Sequence, residues 1–228
     1  MRYVIDPPAL PSLPVTGRED RFPVRRIFCV GRNYAEHARE MGASVDNAAP
    51  MFFCKPADAV VTDGADLPYP QATLDLHHEV EMVVALKAGG TNLDAAQAAA
   101  TIFGYGVGLD LTRRDLQAIA KAKSHPWDVA KGFDHSAPVS ALRVAGEVSI
   151  GPDTELSLEV NGTLRQRGHL GEMVHSVTDI IRALSTLFEL KPGDLIFTGT
   201  PAGVAALQRG DRFHAALQGI ATLDGRVI

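Results

Sequence analysis

The segment that most restricts the fold is Leu74–Leu86, a largely apolar run with several β-branched residues that contains His77-His78-Glu79-Val80-Glu81. Its composition favours a long β-strand over a helix. In a strand, successive side chains point to opposite faces, so His77, Glu79 and Glu81 would share one face. In a helix, the two glutamates would lie about 200° apart and could not share a ligand. The segment therefore predicts a buried strand with acidic side chains on one side.

The rest of the chain predicts more strands than helices. Strands are predicted at Arg26–Gly31, Met51–Cys54, Ala59–Val61, Tyr105–Leu111, Glu155–Val160, Thr163–Arg167 and Leu195–Thr198, and as short strands within 211–228, with turns at Gln218-Gly219 and Asp224-Gly225. Asn161-Gly162 between two of them is typical of a type I′ hairpin turn. Helices are predicted at Asn33–Met41, Asp94–Phe103, Thr112–Lys123 and Ser176–Leu190, the last two each opening with a capping-box spacing. Since strands and helices do not alternate regularly, we expect a β-rich α+β fold with peripheral helices.

Composition limits the domain organisation and the partners. The 228 residues suit one domain, which we place at residues 26–228, after a proline-rich, extended and irregular N-terminal arm at residues 1–25. A net charge of −5 argues against a nucleic-acid partner. No apolar run reaches the roughly 18 residues of a membrane span, so we expect no membrane partner. Cys29 and Cys54 are expected to be buried free thiols in a cytoplasmic protein.

Three acidic residues predict a metal site. Glu79 and Glu81 share a strand face, and Asp110 ends the glycine-rich strand Tyr105–Leu111, just before a predicted helix. Neighbouring carboxylates repel unless a cation lies between them. An all-oxygen set is typical of Mg²⁺ or Mn²⁺ rather than Zn²⁺. Taken singly, the glutamates could also be solvated surface acids, and Asp110 could be a turn or helix-cap acid.

A set of motifs, in order along the chain, resembles the fumarylacetoacetate hydrolase family. They are Cys29–Tyr34, His37-x-x-Glu40, Phe53–Pro56, His77–Glu81, Asp110–Gln117, Ala130–Phe133, Val160–Gly162 and Thr198–Pro201. The resemblance implies a mixed β-sandwich roll with a short N-terminal lid helix, usually dimeric. Within the family, residues 22–26, 31–42 and 52–61 are most similar to bacterial fumarylpyruvate hydrolases of gentisate-type aromatic degradation.

The resemblance also implies a role for individual residues. It makes Glu79, Glu81 and Asp110 ligands of Mg²⁺ or Mn²⁺, and His37 and Glu40 a catalytic dyad on the lid helix. It places Arg114, Gln117 and Lys131 at the substrate or its developing oxyanion, and Thr200 at a substrate carboxylate. Because fumarylpyruvate has a second carboxylate, we add Arg32 and Lys55 as candidate cations for that end.

The expected activity is hydrolysis of a carbon–carbon bond in a small 2,4-dioxo acid, with fumarylpyruvate giving fumarate and pyruvate. Acylpyruvate hydrolysis, oxaloacetate decarboxylation, and isomerisation with decarboxylation of a related dioate are alternatives, because these reactions share an enolate step. A non-catalytic metal- or carboxylate-binding protein would need the three acids but not His37 and Glu40. A serine hydrolase is disfavoured, because the sequence contains no Gly-x-Ser-x-Gly motif.

Overall fold

A computed structural model describes residues 2–42, 49–62, 64 and 66–228. Within these residues the strands are β1 (Ser12–Pro14), β2 (Arg21–Pro23), β3 (Arg26–Gly31), β4 (Met51–Lys55), β5 (Val60–Val61), β6 (Leu76–His77), β7 (Val80–Leu86), β8 (Ile102–Leu109), β9 (Thr112–Arg113), β10 (Ala137–Pro138), β11 (Arg143–Val144), β12 (Glu155–Val160), β13 (Thr163–His169), β14 (Asp194–Phe197), β15 (Ala206–Leu207), β16 (Arg212–Leu217) and β17 (Ala221–Arg226). The helices are α1 (Ala35–Glu40), α2 (Ala95–Ala100), α3 (Arg114–Ala122), α4 (Asp128–Lys131) and α5 (Val177–Leu187).

The strands form two main sheets. The larger is a six-stranded mixed sheet in the order β11-β8-β7-β14-β3-β4, in which β14 and β3 run parallel and the other neighbours antiparallel. The second is a four-stranded antiparallel sheet in the order β13-β12-β16-β17. A smaller sheet joins β15, β6 and β9. The predicted β-rich fold with peripheral helices is confirmed.

The six-stranded sheet is buried on both faces, which explains the continuous apolar run of β7. Val80, Met82 and Val84 face a core shared with the four-stranded sheet, whereas Val83 and Ala85 face a second core on the other side. Every residue of β7 is buried, including Glu81. Burial of each large apolar side chain contributes roughly 1.5–3 kcal/mol. The carboxyl group of Glu81 thus lies near the start of a strand whose other side chains are all apolar and buried.

Glycines in β8 allow the chain to pack closely against the second face of the sheet. A Cβ atom at Gly104 would lie 2.2 Å from the carbonyl oxygen of Arg143. At Gly108 it would lie 2.9 Å from both the Phe197 ring and the Pro138 carbonyl oxygen. Real Cβ atoms do not approach other atoms so closely, so these positions require glycine.

The N-terminal arm is more regular than its prolines predict. β1 and β2 pair as an antiparallel hairpin, with Leu13 opposite Phe22. Leu13, Phe22 and Val24 are buried in the second core. Residues 2–11 lie in no strand or helix, as expected, whereas the hairpin that follows is regular because its apolar side chains cover one face of the large sheet.

The strand predicted over Leu74–Leu86 is interrupted, which corrects the expected position of His77. β6 ends at His77 and β7 begins at Val80, because β6 pairs with β9 and β15 while β7 joins the six-stranded sheet. At the break, the backbone N–H of His78 donates to the carbonyl of Ala205. His77 therefore does not share a continuous strand face with the two glutamates.

Of the two predicted helix caps, only the second is found, and there it is the Ser176 half of the capping box that forms. Thr112 lies in β9 and its hydroxyl donates to the carbonyl of Asp110, so α3 begins later and has no side-chain cap. Pairing of Thr112 with His77 in the small sheet overrides the local signal. At α5, by contrast, the backbone N–H of Asp179 donates to the hydroxyl of Ser176 at 3.2 Å.

One predicted turn is confirmed and another is wrong. The hairpin at Asn161 and Gly162 is confirmed, because both have a positive φ, 53° and 71° respectively. The turn predicted at Asp224-Gly225 is wrong, since both residues pair with β16 inside β17.

Two further observations concern partners and thiols. None of the helices within the described ranges is both long and apolar enough to cross a membrane. Cys29 and Cys54 are both free, as expected, but only Cys29 is buried. The expectation that Cys54 is buried is wrong: Cys54 is exposed on the edge strand β4.

Candidate active site

The ends of β7 and β8 bring the three predicted metal ligands together. Glu79 precedes β7, Glu81 lies within it, and Asp110 follows β8. The strands pair antiparallel, and the backbone N–H of Asp110 donates to the carbonyl of Glu79 at 2.8 Å. One carboxylate oxygen from each acid lies within 4.8 Å of the others, and all three residues are buried. The trio is therefore placed to share one cation.

Two protein cations contact the acids directly. The Lys131 ammonium lies 2.6 Å from Oε2 of Glu79 and 2.7 Å from Oδ2 of Asp110. The Arg114 guanidinium lies 2.5 Å from Oε1 of Glu79. Although burial raises the pKa of Glu79, Lys131 and Arg114 together hold it well below its usual range. Burial opposes the charge of Lys131, but Asp110 and Glu79 raise its pKa above the ordinary value. Glu79 is thus ionised and Lys131 charged.

Glu81 and Asp110 carry the features that fit a bound divalent cation. Burial, followed by repulsion from Asp110 and Glu79, raises the pKa of Glu81, whose Oε2 accepts a 2.7 Å hydrogen bond from the N–H of Gly199. Oδ1 of Asp110 is buried and has no hydrogen-bond donor among the described residues. A proton retained by crowded carboxylates is the kind that a metal ion displaces. The charge, crowding and free lone pair fit a hard cation with oxygen ligands.

Lys55 lies behind the acids. Its ammonium is 2.8 Å from Oδ1 of Asp110, in a charge contact that is not aligned as a hydrogen bond, and it donates to the carbonyls of Leu111 and Lys131. Only 2% of Lys55 is exposed. Two of its three hydrogens are donated to protein carbonyls, and its charge faces the Asp110 carboxylate. In this position Lys55 neutralises Asp110.

His37 and Glu40 form the predicted pair on α1. His37 Nδ1 lies 3.4 Å from Oε2 of Glu40, whose carboxylate also accepts from the N–H of Gly203 at 3.2 Å. His37 is buried, and burial lowers its pKa more than Glu79 and Glu40 raise it. The imidazole is therefore neutral near pH 7, with Glu40 beside one nitrogen and the other nitrogen left for a proton.

Asn33 anchors the start of α1 to the sheet. Its side-chain amide donates to the carbonyls of His175 (3.0 Å) and Thr198 (2.8 Å), and its oxygen accepts from the N–H of His175 at 2.7 Å. Asn33 is fully buried. These bonds hold α1 against the end of β14, beside the acids. The function of α1 as a lid stays a prediction, and residues 43–48, which follow it, lie outside the described residues.

Two polar side chains approach the site from opposite sides. Gln117 on α3 accepts a 2.6 Å hydrogen bond from Arg114, so its amide hydrogens remain for a ligand. The hydroxyl of Thr200 accepts a 2.8 Å hydrogen bond from Gln166, so its own hydrogen also remains. Gln117 and Thr200 are both buried. Each thus presents donors without a protein acceptor among the described residues.

These groups surround one cavity with a free volume of about 40 Å³, enclosed by α1, α3 and the ends of the strands. It is lined by Val30, Gly31, Arg32, His37, Ala38, Met41, Met51, Phe53, Glu79, Glu81, Asp110, Arg114, Gln117, Lys121, Trp127, Lys131 and Thr200. Nine of the predicted site residues line this cavity. The other two lie behind it: Glu40 contacts His37, and Lys55 contacts Asp110.

Comparison with known proteins identifies the family. The model of the fumarylacetoacetate hydrolase C-terminal domain matches residues 26–228. The chain belongs to the fumarylacetoacetate hydrolase family. A crystal structure of fumarylpyruvate hydrolase from Pseudomonas aeruginosa, in complex with Mn²⁺ and pyruvate, superposes with a TM-score of 0.96 and 45% sequence identity, covering 100% of this chain and 99% of that chain. The expected fold is thus the fold of this family.

Curated members of the fumarylacetoacetate hydrolase family include enzymes with other activities. The chain is 41% identical to oxaloacetate tautomerase of Escherichia coli over 87% of its length and 90% of the relative's. It is 37% identical to mitochondrial oxaloacetate decarboxylase of Dictyostelium discoideum, with coverage of 87% and 91%. The comparisons therefore support an enzyme of this family and leave the reaction to be assigned.

The cavity also contains residues that the sequence analysis missed. Lys121 lies seven positions after Arg114 and four after Gln117, so all three share one face of α3. This spacing is visible in the sequence. Because Thr112–Arg113 form a strand, α3 begins later than predicted, at Arg114. Trp127 lines the same cavity, and its ring lies 6.0 Å from the Phe53 ring.

Proposed function

We propose that this protein hydrolyses the C3–C4 bond of a 2,4-dioxo acid, with fumarylpyruvate as the leading substrate and fumarate and pyruvate as products. The observation that carries the proposal is one cavity lined by both the carboxylate trio and His37, whose ring Glu40 contacts. A binding protein would need only the carboxylates. The likeness over the full chain to a fumarylpyruvate hydrolase from Pseudomonas aeruginosa supports the choice of substrate.

Glu79, Glu81 and Asp110 would hold Mg²⁺ or Mn²⁺. When bound, the cation supplies Lewis-acid polarisation of the substrate's 2-oxo group and offsets the negative charge that develops there. The related P. aeruginosa structure contains Mn²⁺, which supports a divalent ion of this kind. The proposed setting is the cytoplasm, and the proposed assembly is a homodimer.

His37 is the proposed base. In its neutral form it takes a proton from water, which attacks the C4 carbonyl, and Glu40 orients the ring and stabilises the imidazolium. The carbonyl oxygen becomes negative during the attack. Two of the three hydrogens of Lys131 contact acids, so the third is available for that oxygen, together with the Gln117 amide.

Collapse of the tetrahedral centre breaks the C3–C4 bond. The pyruvate half leaves with the bonding electron pair and takes up a proton at C3, while the acyl half leaves as a carboxylate. Thr200 and Arg114 are proposed to hold the carboxylate of the 2-oxo acid end through their remaining donors. The oxygen of the added water ends in the acyl carboxylate, one of its hydrogens is matched by the new C–H bond, and the other is released to solvent as a proton.

A side-by-side assay tests the proposal. Purified, Mg²⁺- or Mn²⁺-loaded protein is supplied with fumarylpyruvate, acetylpyruvate and oxaloacetate, and kcat/KM is measured for each. We expect fumarylpyruvate to have the highest value. Turnover of oxaloacetate without hydrolysis of either acylpyruvate would instead support the second candidate, an oxaloacetate tautomerase or decarboxylase, which is the function named for the E. coli and D. discoideum relatives.

A further inference from the structure

The charges around the cavity separate into a paired inner group and two unpaired outer cations. In the inner group, Glu79 and Asp110 form ion pairs with Lys55, Lys131 and Arg114, and Glu81 lies beside them. The same cavity is lined by two further cations, Arg32 and Lys121. Both are exposed, and among the described residues neither has a carboxylate within ion-pairing distance. These two cations therefore mark the solvent end of the cavity.

Lys121 reaches this position because of its place on α3. Arg114, Gln117 and Lys121 follow one another at helical spacing, so one face of α3 extends from the acids outwards. Burial, followed by the charges of Arg114 and Arg32, lowers the pKa of Lys121. Arg32 thus acts on Lys121 across the cavity, although the two residues come from different parts of the chain.

The wall between the two ends is aromatic. The Lys131 ammonium lies 5.0 Å from the centroid of the Phe53 ring, the Phe53 and Trp127 rings are 6.0 Å apart, and the Lys121 ammonium lies 5.3 Å from the Trp127 ring. A ligand that extends along this wall meets a cation at each end and an apolar surface between them. Such a wall suits a flat, unsaturated carbon chain more than a polar one.

We propose that Lys121, together with Arg32, binds the distal carboxylate of a dianionic 2,4-dioxo acid and so determines the preference for it over uncharged acyl chains. The inference rests on the proposed function, which it deepens by naming the feature of the substrate that is recognised. Lys121 contacts the substrate far from the bond that breaks, so it affects binding and leaves the chemical step to the inner residues.

The first test compares substrates. In Lys121→Met, kcat/KM for fumarylpyruvate should fall about 10- to 100-fold, mainly through KM, since a charge-assisted hydrogen bond is lost. Acetylpyruvate, which lacks the distal carboxylate, should be turned over as before. Lys121→Arg should restore most of the loss. Lys123→Met is the matched control, because Lys123 follows the same helix on the opposite side and does not line the cavity. An equal loss for both substrates, or none for either, would overturn the inference.

The second test measures binding without turnover. Calorimetry on Mn²⁺-loaded protein compares 2-oxoheptanedioate with 2-oxoheptanoate, which differ only in the distal carboxylate and have no C4 carbonyl to hydrolyse. The unmodified protein should bind the dioate about 10- to 100-fold more tightly, and Lys121→Met should abolish that difference. If the difference is present and depends on Lys121 but fumarylpyruvate is not hydrolysed, the proposed reaction fails and the carboxylate site stands. Equal affinities in the unmodified protein refute the carboxylate site.

Discussion

Gln166 connects the metal-binding segment to Thr200, and its replacement by leucine should measure what that connection contributes. Its oxygen accepts from the N–H of Val80 (3.0 Å) and from Nδ1 of His78 (2.8 Å). Its amide nitrogen donates to the hydroxyl of Thr200 (2.8 Å) and to the carbonyl of Pro201 (2.9 Å). Only 1% of Gln166 is exposed. Leucine is of similar size but can make none of these bonds.

The expected loss of stability depends on the groups that lose their hydrogen-bond partner when Gln166 is replaced. A buried polar group without a partner costs about 1–3 kcal/mol. The Thr200 hydroxyl can rotate and costs least, whereas the Val80 N–H and the Pro201 carbonyl are fixed backbone groups. We therefore expect Gln166→Leu to lower the free energy of unfolding by about 4 kcal/mol, roughly 8–16 °C in Tm for a chain of this length. The mutation should also weaken substrate binding, because Thr200 loses its support.

Urea unfolding followed by circular dichroism measures the free energy, and a thermal scan gives the Tm. Gln208→Leu is the control: Gln208 is exposed, its side-chain amide makes no hydrogen bond to another described residue, and the free energy of unfolding should change by no more than about 0.5 kcal/mol. If Gln166→Leu lowers the free energy of unfolding by less than 1 kcal/mol, the four bonds do not stabilise this junction and the reasoning is wrong.

Three further predictions concern the chemistry. Prolonged chelation should abolish turnover and Mg²⁺ or Mn²⁺ should restore it, whereas full activity in metal-free protein would exclude a metal role for the carboxylate trio. His37→Ala should lose about 10²–10⁴-fold in kcat for hydrolysis while binding oxalate normally, and Glu40→Gln should lose less. Oxaloacetate decarboxylation needs no attacking water, so His37→Ala should reduce it less than it reduces hydrolysis. An unchanged ratio of hydrolysis to decarboxylation would contradict the assignment of His37 as the base. Because burial lowers the pKa of His37 and only its neutral form accepts a proton, the acid limb of kcat/KM should have its midpoint below pH 6.5, and a midpoint above that value would contradict the assignment.

The acidic trio could be predicted from the sequence because its signal is local. Glu79 and Glu81 are two residues apart at the start of an apolar strand, and Asp110 ends another. Their meeting depends on the pairing of β7 with β8, which the motifs of the family imply but residue spacing alone does not show. The same holds for His37 and Glu40, which are neighbours on a helix wherever that helix lies.

The other assignments depended on tertiary contacts that local patterns do not encode. Lys55 is a cation in an apolar segment, and nothing in its neighbours indicates that its ammonium turns towards Asp110. Thr112 has the sequence of a helix cap, yet pairing with His77 places it in a strand. Lys121 shares a helix face with Arg114 and Gln117 by spacing alone, but only the packing of α3 shows that this face lines the cavity as far as Lys121.

The ion pairs of the inner acids have a consequence for metal exchange. Because Lys55, Lys131 and Arg114 already pair with Glu79 and Asp110, and Glu81 can keep its proton, we expect the chain to fold without a divalent ion to hold these acids together. Folding would then be largely uncoupled from metal supply, unlike in small domains that unfold when their zinc is removed. A bound ion could leave and return while the sheets stay intact, so its occupancy would follow the concentration of free cation.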